Sequence, residues 1–224
     1  MTDSDAQRPD DLGPTRFLDI EHPRVVELAR DAIGDATSDV LKAQRLFLRV
    51  RDGWRYDPYT LSASPDSCVA SRIAATDRAY CIPKAVLLAA LARAVGIPSR
   101  LGFADVRNHL ASPRLLERLG TDVFAWHGYV ELFVDGRRVK ATPAFNRELC
   151  ERFDVAPLEF DGVHDAMLQP FDRAGHESME YLRDHGTFDD LPFATILAAF
   201  RRLYGGGEIL RPEHDPAFPR RGDE

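Results

Sequence analysis

No apolar run in this 224-residue chain approaches the roughly 20 residues that cross a bilayer; the longest, Ala85 to Ala92, is far too short. A membrane is therefore not an expected partner. The opening stretch, Met1 to Arg16, is polar and lacks the apolar segment of a secretory signal, which points to the cytoplasm. Cysteine is scarce: Cys68, Cys81 and Cys150 are an odd number without paired spacing, which excludes a disulfide framework and fits a reducing compartment. Any cysteine that matters acts as a thiol. A basic excess is also missing, since 29 Lys and Arg stand against 36 Asp and Glu, net charge -7, and the basic residues are scattered among acids. That removes the electrostatic footprint of a nucleic-acid binder. Ligand clusters for metals are lacking as well. Asp66, Asp77, Asp105 and Asp122 are isolated rather than packed in an oxygen-rich loop. His164, His176 and His185 are spaced too widely to share one helical turn, so the reading for them is solvated histidines. No metal or cofactor is expected.

What remains is ordinary globular composition, 44% hydrophobic and 29% charged, without repeats or an internal linker. The expectation is one domain over residues 17–210, with flexible ends at 1–16 and 211–224. Val25, Val26, Leu28, Ala29, Ala32 and Ile33 recur at helical spacing and stop at Gly34. Thr37 or Ser38 can cap a second helix whose stripe is Val40, Ala43, Phe47 and Val50. Cys81 to Val95 is the strongest helix, with Pro83 in its first turn and Gly96 just past its end; its wide apolar face predicts burial. Ser99 to Val106 reads as a strand, and Asn108 to Thr121 as a polar connection with a helical pattern at Leu115 to Leu119. Phe124 to Val134 and Arg137 to Thr142 form a hairpin around Asp135-Gly136. Beyond Phe145, Glu148 to Phe160 suggests a strand or two, His176 to His185 a short helix, and Pro192 to Tyr204 an amphipathic helix ending at glycines. The fold class is α+β, with N-terminal helices and a buried cysteine helix packed on an antiparallel sheet.

Cys81 stands immediately before that buried helix, where unpaired N–H groups and the helix dipole favour an anion. Alone it would read as a small buried apolar residue. A histidine at the start of the next hairpin changes the weighing. If Val134 pairs with Arg137, the register carries Tyr129 to Thr142, and His127 lies diagonally within side-chain reach of Thr142, with Asn146 on the same parity. A thiol on a helix tip, an imidazole on a strand and an orienting group on the neighbouring strand are the parts of an activated nucleophile.

These segments are where the chain resembles a known family. Tyr80-Cys81-Ile82-Pro83-Lys84 through Gly96-Ile97-Pro98-Ser99-Arg100 is similar to the cysteine helix and following turn of the transglutaminase-like (transglutaminase core) superfamily. Trp126-His127-Gly128-Tyr129-Val130-Glu131 through Asp135-Gly136 is similar to its histidine strand, and Val50 to Asp57 resembles the segment preceding the site in bacterial members. The resemblance covers about Asp19 to Asn146. It implies a papain-like core with a Cys-His-Asp site acting by acyl transfer or hydrolysis on a peptide, protein or small amide. Cys81 would be the nucleophile and His127 its base. The usual Asp-Pro pair is Thr142-Pro143 here, so either Thr142 or Asn146 would orient His127. Trp54, Tyr80 and Trp126 are the candidates for substrate contact, and a non-catalytic binding module is the competing reading.

Overall fold

The computed structural model describes residues 11–109, 111–168 and 178–205. Helix α1 (Pro23–Ile33) starts with proline in its first turn and stops at Gly34, whose φ of 54° suits a residue without Cβ. Helix α2 (Asp39–Gly53) is capped by Ser38, whose hydroxyl accepts from the Leu41 N–H. A short parallel pair, β1 (Arg55–Tyr56) and β2 (Arg78–Ala79), brackets the small helix α3 (Ala70–Ile73). Helix α4 (Cys81–Ala94) then crosses the centre of the molecule, with 13 of its 14 residues buried. It is apolar all round because it is covered all round: α1, α2 and α3 pack on it, and β3 (Ser99–Asn108) and β4 (Val123–Val134) cover another side.

The main sheet is antiparallel, in the order β5-β4-β3-β6, with β5 (Arg137–Ala141) and β6 (Met179–Phe188) at its edges. The β4–β5 hairpin turns at Asp135 and Gly136, both with positive φ, and Val134 pairs with Arg137 as the turn chemistry predicts. Helix α5 (Pro113–Leu119) interrupts the connection between β3 and β4 and is capped by Ser112. Helix α6 (Arg147–Arg152) and helix α7 (Phe193–Tyr204) complete the elements.

Three expectations are corrected. Residues 147–152 are helical rather than extended: the ladder of β5 has already ended, and the segment winds up behind Asn146 as a local turn. Met179–Phe188, expected as helix over its first part, is an edge strand; pairing with β3 overrides a weak local preference, and two register shifts hide any alternation. His176 itself lies outside the described residues, as do residues 206–224, so the C-terminal tail does too. Finally, the ordered chain begins before residue 17. Asp11 is fully buried, and its carboxylate receives Arg100 at 2.9 Å and Arg138 at 3.0 Å. Arg93 adds hydrogen bonds to the carbonyls of Gly13, Ser99 and Asp189, tying the end of α4 to the segments before α1 and after β6.

One charged residue lies inside the most apolar helix. Lys84 is fully buried, and its Nζ donates to the carbonyls of Arg51, Trp54 and Ala144 at 2.7 to 2.8 Å. Burial pushes its pKa down to about 7. All three acceptors are carbonyl oxygens, which only the three N–H donors of an ammonium satisfy together, so this geometry holds the charged form. The side chain joins the end of α2, the turn into β1 and the segment after β5 to α4. Lys84→Met would leave three carbonyls without donors, and urea denaturation is expected to show a loss of at least about 3 kcal/mol. An unchanged midpoint would remove Lys84 from this role.

Candidate active site

Cys81 opens α4. The preceding strand β2 fixes Tyr80 in an extended conformation, so the chain turns into the helix at the cysteine. Backbone N–H groups of Gly128, Ile82 and Cys81 itself are directed at the sulfur and lower its pKa, as does the charge of Lys84 one turn along. Burial outweighs them and pushes the thiol up to about 11. Cys81 is therefore a neutral thiol at neutral pH. Cys68 and Cys150 are raised to about 11 by the same cause, so resting acidity does not distinguish the three.

His127 comes from β4, close to where the β3–β4 register shifts between Ala104 and Val106. Trp126, its neighbour, takes a φ of 57°, a left-handed backbone that interrupts simple alternation along the strand. The next residue, Gly128, lets the strand lie against the first turn of α4. A Cβ there would come within 3.1 Å of the Ile82 Cα and 3.3 Å of the Cys81 carbonyl oxygen. His127 is carried by this contact into the wall of a cavity that Cys81 also lines. No hydrogen bond joins the two side chains. Only 3% of His127 is exposed, and its Nε2 is sealed from solvent without a partner. Burial alone lowers its pKa to about 4, so the imidazole too is neutral.

Neither candidate for the third member reaches the ring. The β4–β5 ladder ends at Val130 and Ala141, one pair short of the expected Tyr129–Thr142 pairing. Beyond it, Pro143 follows and the Thr142 N–H donates to the Ala166 carbonyl at 2.9 Å, which draws the chain aside. The Thr142 hydroxyl meets the Met167 sulfur at 3.6 Å and the Tyr181 phenol. Asn146 accepts from the Tyr56 N–H at 2.9 Å and donates to Glu148 at 3.2 Å. It fixes β1 beside the cavity instead of orienting His127.

Of the expected contact residues, Tyr80 lines the cavity, with its phenol hydrogen-bonded to the Cys68 thiol. Trp54 is elsewhere: its indole N–H donates to the Ile73 carbonyl at 2.9 Å. Trp126 turns toward β6 and stacks on His185 at 4.2 Å. The Asp105 carboxylate accepts from both the Trp126 N–H and His185 Nε2, an arrangement with no signature in sequence spacing. His164 pairs with Asp161 at the surface. Among the described residues, no group of three or more His, Cys, Asp or Glu is arranged to hold a metal ion. Tyr56, Leu115, Phe200 and Tyr204 also wall the cavity, and sequence reasoning did not single out the last three.

The depressed pKa of His127 has a consequence for stability. An unfolded histidine charges near 6.5, whereas the folded one charges only near 4. Between these values the unfolded chain binds a proton that the folded chain does not, so stability falls as pH drops through that window. The loss amounts to about 3 kcal/mol when complete. Urea denaturation at pH 7 and pH 4 is expected to show this loss in the native chain and a smaller one in His127→Gln. Equal losses would mean that the acid sensitivity lies elsewhere.

Comparison with known proteins follows the same segments. Residues 26–143, more than half of the chain, match the transglutaminase-like superfamily. No curated protein matches. Among solved structures, the chain is similar to a protein from Cytophaga hutchinsonii provisionally assigned as a cysteine protease, with 16% identity and a TM-score of 0.43. The similarity covers 81% of this chain and 56% of that one, so this chain spans little more than half of that protein's length. The matched segment contains both the helix that begins with Cys81 and the strand that carries His127, and by that match the chain belongs to the transglutaminase-like superfamily.

Proposed function

We propose that the protein is a cysteine enzyme that transfers or hydrolyses an acyl group at an amide or thioester, with Cys81 as nucleophile and His127 as general base and acid. The observation that carries this reading is the shared cavity: thiol and imidazole open into one space, at a helix start where backbone N–H groups converge on the sulfur. His127 takes the thiol proton as sulfur bonds to the carbonyl carbon. The resulting oxyanion is met by the Cys81 N–H, with the Gly128 N–H close by. Collapse of that intermediate breaks the bond to the leaving group, which departs with the proton held by His127. Water or an amine then attacks the acyl-enzyme, giving its proton to His127, and the thiol is restored.

Both groups rest in neutral form, so the proton transfer has to be drawn by the bound substrate rather than waiting as a thiolate–imidazolium pair. The substrate class that follows is a peptide, protein or small amide. Three free cysteines favour a cytoplasmic setting, and no described helix is long and apolar enough to cross a membrane. A second reading, a binding module without chemistry, is favoured by the unpartnered Nε2 and the hydroxyl at position 142 in place of a carboxylate.

Alkylation separates the two readings. All three thiols are raised to about 11, so a preference for Cys81 that disappears in His127→Ala comes from the neighbouring base and not from access or resting acidity. Iodoacetamide at pH 7 followed by peptide mapping is expected to modify Cys81 first, and His127→Ala is expected to abolish that preference. Turnover of an amide substrate, or capture of its acyl group by hydroxylamine, is expected to fall by roughly 10³-fold in Cys81→Ala and in His127→Ala. Equal labelling of the three cysteines would leave the binding module as the better reading.

A further inference from the structure

We infer that the acyl donor carries two consecutive apolar side chains, one seated in the Cys81 cavity and the preceding one in a second cavity beside it. This rests on the proposed acyl chemistry for its orientation. The first cavity is walled by Tyr56, Leu115, Leu119, Phe124, Phe200 and Tyr204 around the thiol and imidazole. Its tyrosines present ring surface. The Tyr204 hydroxyl is occupied, accepting from the Ala125 N–H at 2.6 Å and donating to the Val123 carbonyl at 3.2 Å. The Tyr80 phenol is engaged with Cys68. Apart from His127, the titratable charge on this wall is Arg118, whose guanidinium lies over the Tyr59 ring at 5.3 Å.

The second cavity is walled mainly by Tyr56, Leu115, Phe145, Leu149, Phe153 and Val155, with Asn108 as its polar side chain. The two cavities share Tyr56 and Leu115, so these side chains form the partition between them. Tyr56 is a rigid divider: Asn146 accepts its backbone N–H, and its ring meets Phe145 edge-on at 4.8 Å. Two adjoining apolar spaces suit neighbouring side chains of one extended chain. A carboxamide or charged side chain placed in either would give up its hydrogen bonds to water and meet few polar side chains in exchange, chiefly Arg118 in the first cavity and Asn108 in the second. An apolar one gains about 0.8 kcal/mol for each buried methylene.

Much of this lining lies beyond the superfamily match. Phe145, Leu149, Phe153, Val155, Phe200 and Tyr204 all follow residue 143, so α6, the segment after it and α7 furnish walls that the matched segment does not contain. The two apolar spaces are thus completed by residues outside the matched segment.

Binding to the full-length Cys81→Ala protein tests the inference without requiring turnover. Calorimetry is expected to show N-acetyl-Leu-Phe-amide binding at least about tenfold tighter than N-acetyl-Gly-Phe-amide, as burial of one leucine side chain provides. N-acetyl-Glu-Glu-amide is expected not to bind. Leu149→Asp, in the second cavity, should reduce the first ligand to the affinity of the second and leave the second unchanged, whereas Leu119→Asp should weaken both. Circular dichroism of each variant verifies folding; if Leu149→Asp fails to fold, Val155→Asp takes its place. Equal affinity for the three amides, or indifference of the leucine ligand to the second-cavity substitution, overturns the inference. Selective binding without labelling or turnover at Cys81 would instead overturn the proposed chemistry and leave the paired apolar sites standing.

Discussion

The buried ammonium of Lys84 is the point from which the arrangement of the site can be followed outward. A charge in the interior is tolerated only when its donors are satisfied, and here each N–H meets a carbonyl from a different part of the chain. Those carbonyls belong to the end of α2, to Trp54 just before β1, and to Ala144 beyond β5. The lysine thus fixes the helix it stands on to three segments at once. Cys81 is one turn upstream on the same helix, and the positive charge acts on its thiol. Local order and local electrostatics have a common source.

Burial works against that charge. It raises Cys81 and lowers His127, so the apolar surroundings that give the site its shape also hold both groups neutral. A carboxylate beside the imidazole would counter this by stabilising the charged ring. Thr142 stands at the corresponding place in the sequence, but its hydroxyl is turned away toward Met167 and Tyr181, and Nε2 is left without a partner. The first-turn N–H groups of α4 and that of Gly128 are directed at the sulfur and act against the effect of burial.

The superfamily segment supplies thiol, imidazole and their supporting helix and strand. The elements after it fill in the surroundings. Asn146 at the start of α6 clamps Tyr56, and Tyr204 at the end of α7 clasps the backbone of β4 at Val123 and Ala125. The cavity walls thus come partly from the matched segment, through Tyr56, Leu115, Leu119 and Phe124, and partly from the elements that follow it. Such a division allows the chemistry to stay constant while the walls vary.

Much of this was determined by the sequence alone, wherever the controlling physics is local. The run from Cys81 to Ala94 is too uniformly apolar to be a surface helix, and Asp135-Gly136 sets the register of β4 on β5 because few residues accept two successive positive φ values. The placement of Cys81 at a buried helix start and of His127 on the hairpin's first strand could be read from these two elements. Tertiary structure decided what depends on distant segments. Ala166, not the hairpin, takes the Thr142 N–H and ends the ladder before His127; Tyr56, not the imidazole, takes Asn146. Met179–Phe188 is a strand only because β3 offers it an edge, and the cavity walls converge from residues far apart in the chain. Periodicity and turn chemistry act over a few residues, whereas the partner of a buried polar atom is settled by whichever donor or acceptor packing brings within 3 Å or so.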